Sequence, residues 1–346
     1  MLPQISRAGE WFLHSGIQES NGGVARYYRV DLGRNQAIST EITGYAIGAF
    51  VYLHTLTHDD RYIGRATDAA GFLTHRAWDR SLAAMPFEID PPAFTYFFDC
   101  GIVVRGLLAA WRATGVGDFL ECALAVGRSM ARDFASQNGD FQPILGLPGK
   151  EAVERDACRW SRSPGCYQLK AAMAWHDLAE AAGTKDLDAL YDRSVDECLR
   201  DSASFLPGHP DREKVMDRLH AFLYFLEGLL PRAHEPRCAE ALRDGIARTA
   251  SMAREIAPVF ARSDVYAQLL RIRLHADSAG AVPLDRIAAQ EEAAALETFQ
   301  AENGGFYFGR KGLSMLPYEN PVSTAFALEA LSLWHGFARP HRHLLI

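Results

Sequence analysis

Charged residues divide the chain into two alternating kinds of segment. Residues 42–56 contain no Asp, Glu, Lys or Arg. Residues 102–111 carry only Arg105, 219–230 only Glu227 and 322–334 only Glu329, while 167–179 and 265–276 carry two charges each. A helix that is apolar nearly all round is buried on all sides. The intervening stretches 59–76, 118–133, 185–201, 235–255 and 285–302 carry five to nine charges each, as expected of helices with one face in water. Residues from about 5 to 16 form a sixth segment of this second kind.

The order is therefore outer, five inner–outer pairs, then a last inner helix. Pairing that last helix (about 321–336) with the first (about 4–16) closes a ring. The pattern predicts an all-α fold: a single-domain (α/α)6 barrel, or toroid, of six inner and six outer helices over residues 1–346, with inner helices starting near 41, 94, 166, 219, 264 and 321. Inner-to-outer turns are short, as at Thr57-His58 and Gly183-Thr184. Outer-to-inner connections are long (about 17–40, 77–93, 134–165, 203–218 and 301–320), with only 257–263 short. Long connections without secondary structure are usually functional. All of them fall at the end where inner helices begin and free N–H groups and positive dipole ends point. The sequence thus predicts the site at that end, roofed by 17–40, 134–165 and 301–320.

Composition narrows the options. A formal charge of −7 and the lack of a basic run interleaved with aromatics argue against a nucleic-acid partner. No apolar stretch is long enough to span a bilayer, and the N-terminus lacks the pattern of a signal peptide. Six cysteines are scattered without a CxxC, so neither a zinc site nor a disulfide framework is expected, and the protein reads as reduced and cytoplasmic. His341 and His343 fall in a tail after Arg339-Pro340 and make no ligand set. No phosphate loop, nucleophile elbow or dinucleotide fingerprint occurs. No metal or cofactor is expected, and the oligomeric state is not encoded legibly.

Three outer segments end in similar phrases: Gln18-Glu-Ser-Asn-Gly22-Gly-Val24, Gln137-Asn-Gly139-Asp-Phe141 and Gln300-Ala-Glu-Asn-Gly304-Gly-Phe306. The first and third fit Q-x-x-x-G-x-(apolar), which resembles the QW repeat of terpenoid cyclases and protein prenyltransferases, with Val or Phe in place of Trp. The resemblance implies a structural tie between an outer helix end and the next turn. The acid motif and zinc set of those families have no counterpart, since Asp59-Asp60 begins an outer helix at the wrong end. Other phrases look like bacterial helical toroids linked to polysaccharide metabolism, which share their scaffold with six-hairpin glycosidases. They are Ser39-Thr-Glu41-Ile-Thr-Gly44-Tyr45, Phe98-Asp99-Cys-Gly101 leading to Arg105-Gly106, Leu219-His220 leading to Glu227-Gly228, and Pro317-Tyr318-Glu319-Asn320-Pro321.

The candidate catalytic residues are Glu41, Glu88, Asp99, His220 and Tyr224. Glu41 stands in the first turn of the first inner helix with Tyr45 one turn on, where an acid also simply suits the helix dipole. Asp99 follows the aromatic run 94–98, and a carboxylate there is costly unless paired or working. Its alternative is an ion pair with Arg26 or Arg105. Glu88 sits in the preceding loop. Two such carboxylates suit the acid and base of sugar chemistry. His220 and Tyr224, four apart, read as base and proton donor or as satisfied core residues, whereas Glu227 reads as structural. The loops add Arg26, Tyr27, Tyr45, Tyr96, Trp160, Tyr307, Arg310 and Tyr318 as substrate-binding candidates, because aromatic faces stack on sugar rings and Arg clamps carboxylates.

These residues point to a carbohydrate-active enzyme using general acid/base chemistry on an oligosaccharide, one containing acidic sugar. Hydrolysis is the first expectation, with uronate lyase or epimerase action close behind. The alternatives are a toroid that binds or cyclises an isoprenoid, which requires a deep apolar cavity, and a non-catalytic binding module, which requires the candidate acids to be locked in ion pairs.

Overall fold

The computed structural model describes residues 3–136, 139–156 and 158–346. Twelve α-helices run in the expected order: α1 (Pro3–His14), α2 (Thr40–Thr57), α3 (Asp60–Phe72), α4 (Phe97–Thr114), α5 (Gly117–Asp133), α6 (Leu169–Ala182), α7 (Lys185–Phe205), α8 (Arg212–Leu229), α9 (Pro236–Ile256), α10 (Ser263–Ser278), α11 (Arg286–Glu297) and α12 (Pro321–Trp334). The charge-poor helices pack in the closed sequence α2, α4, α6, α8, α10, α12 and back to α2, while α1 packs on α12 and α3. The chain is an all-α (α/α)6 toroid. Among the described residues no helix is long and apolar enough to cross a membrane.

The inner ring is tight because glycines let backbones meet. A Cβ on Gly106 would stand 2.5 Å from the Gly44 carbonyl oxygen, and one on Gly101 2.5 Å from the Ala171 backbone. Gly106→Ala must therefore push α2 and α4 apart. We expect it to cost about 1–3 kcal/mol, the usual range for overpacking, read as a lower midpoint in urea; an unchanged midpoint would mean that the seam is looser than described. Gly48, four residues after Gly44, meets no helix. Its neighbour is the side chain of Ile346 at 3.8 Å, because the C-terminal segment turns back into the closed end of the barrel and buries Leu345 and Ile346.

The loops at the open end are stitched by three small antiparallel sheets. Strands β1 (Tyr28–Arg29) and β2 (Arg34–Asn35) join β9 (Tyr318–Glu319). β3 (Phe94–Tyr96) joins β4 (Ile144–Gly146) and β5 (Glu151–Ala152). β6 (Phe260–Arg262) joins β7 (Gly309–Lys311) and β8 (Ser314–Met315). Ser39 and Asn320 cap α2 and α12 by accepting backbone N–H bonds, and Pro321 occupies the first turn of α12.

The Q-x-x-x-G phrases do tie the outer layer. Gln18 donates to the Gly22 carbonyl and to the Arg65 carbonyl of α3, and Gln300 donates to Gly304 and to Gln4 of α1. In the third such turn the bridge pairs Ala135 with Phe141, as Gln18 pairs with Val24 and Gln300 with Phe306. Ala135 thus holds the position of the tying glutamine. Gln137 and Asn138 lie outside the described residues.

One boundary differs from expectation. α8 begins at Arg212, not near 219, and its N-cap Asp211 accepts from Glu213 N–H. The expected long loop 203–218 shrinks to 206–211. The first two turns of α8 bury Val215 and Met216 but set Arg212, Glu213, Lys214, Asp217 and Arg218 around them, so a boundary drawn from charge-free sequence cuts them off.

Candidate functional site

Five side chains from three inner helices, with Tyr96 at the end of β3, converge at the open end. Glu41 and Tyr45 come from the start of α2. Asp99 comes from the first turn of α4, with Tyr96 just before it. His220 and Tyr224 come from the third and fourth turns of α8, which reach the same level because α8 overhangs the ring. The His220 and Tyr224 rings lie 4.4 Å apart, and Phe98 meets Tyr224 at 4.6 Å.

The two carboxyls differ from ordinary ones. Asp99 is 6% exposed, and its Oδ2 has no hydrogen-bond partner among the described residues. Burial drives its pKa well above 3.8, and the nearby charge of Glu41 drives it further, against the pull of Arg26. Glu41 stays partly open to solvent. Burial raises it to about 7, moderated by Lys170 and Arg26. Both carboxyls are thus held above the ordinary carboxylate range, and Asp99 is the more deeply buried of the two. Asp99 makes no ion pair with Arg105, which donates instead to Asp177 at 2.9 Å.

Arg26 forms the roof. It is paired with Glu88 and stacks over Phe87 at 4.7 Å, while its Nε is buried without a partner. Glu88 is thus the counter-ion of Arg26. Thr40 donates to the Pro86 carbonyl at 2.8 Å, pinning the 78–93 loop over the start of α2.

His220 has a defined tautomer. The Gln268 amide nitrogen faces the Glu227 carboxylate at 3.3 Å, so its oxygen faces His220 Nδ1 at 2.7 Å, and Nδ1 carries the hydrogen. Asp264 lies on the same side at 3.6 Å, held by a two-pronged bond from Arg262. Burial lowers the His220 pKa to about 4 although Asp264 pulls it up. The imidazole is neutral at pH 7, with Nε2 as an acceptor.

Beneath these groups lies a network that the sequence reading missed. Lys170, fully buried, donates to Glu227 at 2.5 Å and to the Ile346 carbonyl at 2.9 Å, within 5.2 Å of the Tyr45 ring centroid. Arg271 bonds Glu227 and Glu329 and stacks on Phe326 at 3.7 Å. His275 meets Glu329 at 3.1 Å. Arg271 and Lys170 thus answer Glu227 and Glu329, although burial lowers the Lys170 pKa to about 7. The signal was available: a lone charge in an otherwise apolar helix must find a partner, and Lys170 and Arg271 answer Glu227 and Glu329. This polar axis is not the apolar cavity that an isoprenoid requires.

The remaining candidates divide. Tyr27 and Tyr318 stack on each other at 5.4 Å where β1 meets β9. Tyr307 faces Glu319 and Glu302. Arg310 does not join the mouth. It lies over Phe299 at 5.2 Å, at the end of α11, because its place on β7 turns it toward the outer layer. Trp160 packs edge-on to Tyr167, two aromatic contacts away from Tyr224. It lines a separate cavity of about 620 Å3 between α6, α7 and the 134–165 loop. At the closed end, Asp177, Glu180 and His343 bring ligand atoms within 4.8 Å of one another, but Arg105 and Arg342 already pair with the two acids.

No protein-family model matches the sequence, and no curated protein matches it. Solved structures do match in shape. The cellobiose 2-epimerase of Spirochaeta thermophila superposes with a TM-score of 0.71 at 13% identity, covering 96% of each chain. A D-mannose isomerase gives 0.70 at 10% identity, covering 97% of each. A family 76 glycoside hydrolase, a mannosidase from Bacteroides thetaiotaomicron, gives 0.61 at 12%, covering 96% of this chain and 99% of its own. What this chain shares with these enzymes is the (α/α)6 toroid.

Proposed function

We propose that the protein is a carbohydrate-active enzyme whose open end carries out general acid/base chemistry on a sugar, with hydrolysis of a glycosidic bond as the first reading. The observation that carries it is the unequal carboxyl pair: Asp99, buried with an oxygen unpartnered among the described residues and raised well above the ordinary carboxylate range, beside a partly exposed Glu41 raised to about 7. Groups whose environments push their pKa values apart divide into acid and base. Asp99 donates its proton to the leaving oxygen, and Glu41 takes one from the attacking water. An unsatisfied buried polar group in a folded protein calls for an explanation, and a substrate hydroxyl or glycosidic oxygen supplies it. The Arg26 Nε offers a donor to the same ligand. Because Arg26 is already neutralised by Glu88 and Arg310 lies elsewhere, a neutral sugar suits this mouth better than the acidic one expected from sequence.

Turnover of a panel of neutral and acidic oligosaccharides tests this; no turnover and no binding across the panel would refute it. The pH profile carries a sign. Below about 7 Glu41 is protonated and cannot act as base, so kcat should rise through about pH 7 and fall at higher pH as Asp99 ionises. Arg26→Met removes a charge that lowers Glu41, so the rising limb should move to higher pH. A limb at ordinary carboxylate values would contradict these assignments.

A second reading, isomerisation or epimerisation, is favoured by His220. Its neutral Nε2 beside Tyr224 suits proton abstraction from carbon next to a carbonyl. Deuterium incorporation at C2 of a reducing sugar in D2O, without release of new reducing ends, separates it from hydrolysis.

A further inference from the structure

The three outer-layer turns that share the bridge geometry differ in what they touch. A Cβ on Gly22 would meet the Asp68 carbonyl of α3 at 2.4 Å, and one on Gly304 the Arg7 carbonyl of α1 at 2.2 Å. Those turns are pressed against the next outer helix and tied to it by Gln18 and Gln300. Gly139 has the same left-handed φ of 92°, but its nearest neighbour is the Glu197 side chain at 3.8 Å. With Ala135 where the tying glutamine stands, this turn holds off from α7. The opened seam is the cavity of about 620 Å3, within the roughly 300–1,000 Å3 range of small-molecule sites.

Its lining has a definite chemistry. Phe141, Trp160 and Phe205 supply aromatic faces, and Glu197 and Asp201 supply carboxylates. Neither carboxylate has an ion pair among the described residues. The cations are occupied: Arg155 bonds Asp140 and Gln142, and Arg218 bonds the Phe205 carbonyl and lies over its ring at 4.3 Å. Burial raises the Glu197 pKa, and Asp140 and Asp201 add to this against Arg193 and Arg200. Aromatic faces with unengaged carboxylate acceptors fit a ring bearing several hydroxyl donors and no negative charge. We infer that this seam between α6, α7 and the 134–165 loop is a second, non-catalytic binding site for a neutral sugar, distinct from the barrel mouth. It does not require that the mouth be catalytic. It is placed to hold a longer chain, since the helical turn Trp160–Arg162 puts Trp160 in the seam and the charge of Arg162 beside Tyr96 at the mouth.

The test uses hydrogen-exchange protection in full-length Asp99→Asn protein with cellotetraose and with mannotetraose. One of these sugars should protect 158–168 and 194–205. Glu197→Ala and Trp160→Ala should each weaken that protection at least tenfold while leaving any protection at 40–45 and 97–101 in place. Glu197 carries no ion pair among the described residues, so its variant should keep the wild-type melting temperature. Protection confined to the mouth would overturn the seam site and leave the proposed function standing. Protection confined to the seam would do the reverse. No protection anywhere, or seam protection indifferent to both substitutions, would overturn the inference.

Discussion

Asp99→Asn is expected to lower kcat by about 10²–10⁴-fold, the usual contribution of a positioned general acid, and to raise the melting temperature at pH 7. The two effects have one cause. Asp99 is buried, has an unpartnered oxygen and faces Glu41, so its folded pKa lies well above 3.8. Between the unfolded and the raised folded value the native state holds the extra proton, and stability falls as pH rises across that interval. Asparagine does not titrate, so the gain should be present at pH 7 and vanish as pH falls toward 3.8. An ion-paired scaffold residue behaves oppositely, because removing one partner exposes the other's charge to the interior. Activity assays with thermal melts at pH 4 and pH 7 check this; a lower melting temperature with activity retained would assign Asp99 to the scaffold.

Arg271→Met should have the largest effect on stability, about 3–5 kcal/mol, as for breaking a buried ion pair from one side. Arg271 is completely buried and holds both Glu227 and Glu329. Without it, Glu227 keeps Lys170 and the Gln268 amide, Glu329 keeps His275, and the Glu329 oxygen that accepted from Arg271 keeps only the Ile346 N–H. Chemical denaturation measures the loss. An unchanged midpoint would mean that water enters the axis and solvates these charges.

Much of this architecture was legible because a toroid sorts charge by layer. Residues 42–56 are charge-free because α2 is enclosed by helices and by the C-terminal segment, and 185–201 are highly charged because α7 faces water. The same rule failed at 212–218, where an inner helix sets charged residues around the buried Val215 and Met216. It also treated Lys170, Arg271, Glu227 and Glu329 as blemishes in apolar helices, when their mutual pairing on the axis is what lets them be there. For the mouth, helix phase was enough to bring Glu41, Tyr45, Asp99, His220 and Tyr224 together, since each lies on the inward face of a ring helix. Loop residues were harder to place. Arg310 and Trp160 sit on strands and turns whose side-chain direction depends on pairing with distant segments, which local sequence does not reveal. The seam was hidden for a related reason: the tie is absent at Ala135, while the nearby Gln137 resembles it.

The central claim is that a sugar is processed between Glu41 and Asp99 at the open end of the barrel. The most direct measurement is a crystal structure of Asp99→Asn soaked with the best-turned-over oligosaccharide. The expected result is a sugar ring in the mouth, with its glycosidic oxygen at hydrogen-bond distance from residue 99 and Glu41 facing the anomeric carbon or its water. A sugar bound only away from the axis, with Glu41 and residue 99 touching nothing but protein, would contradict it.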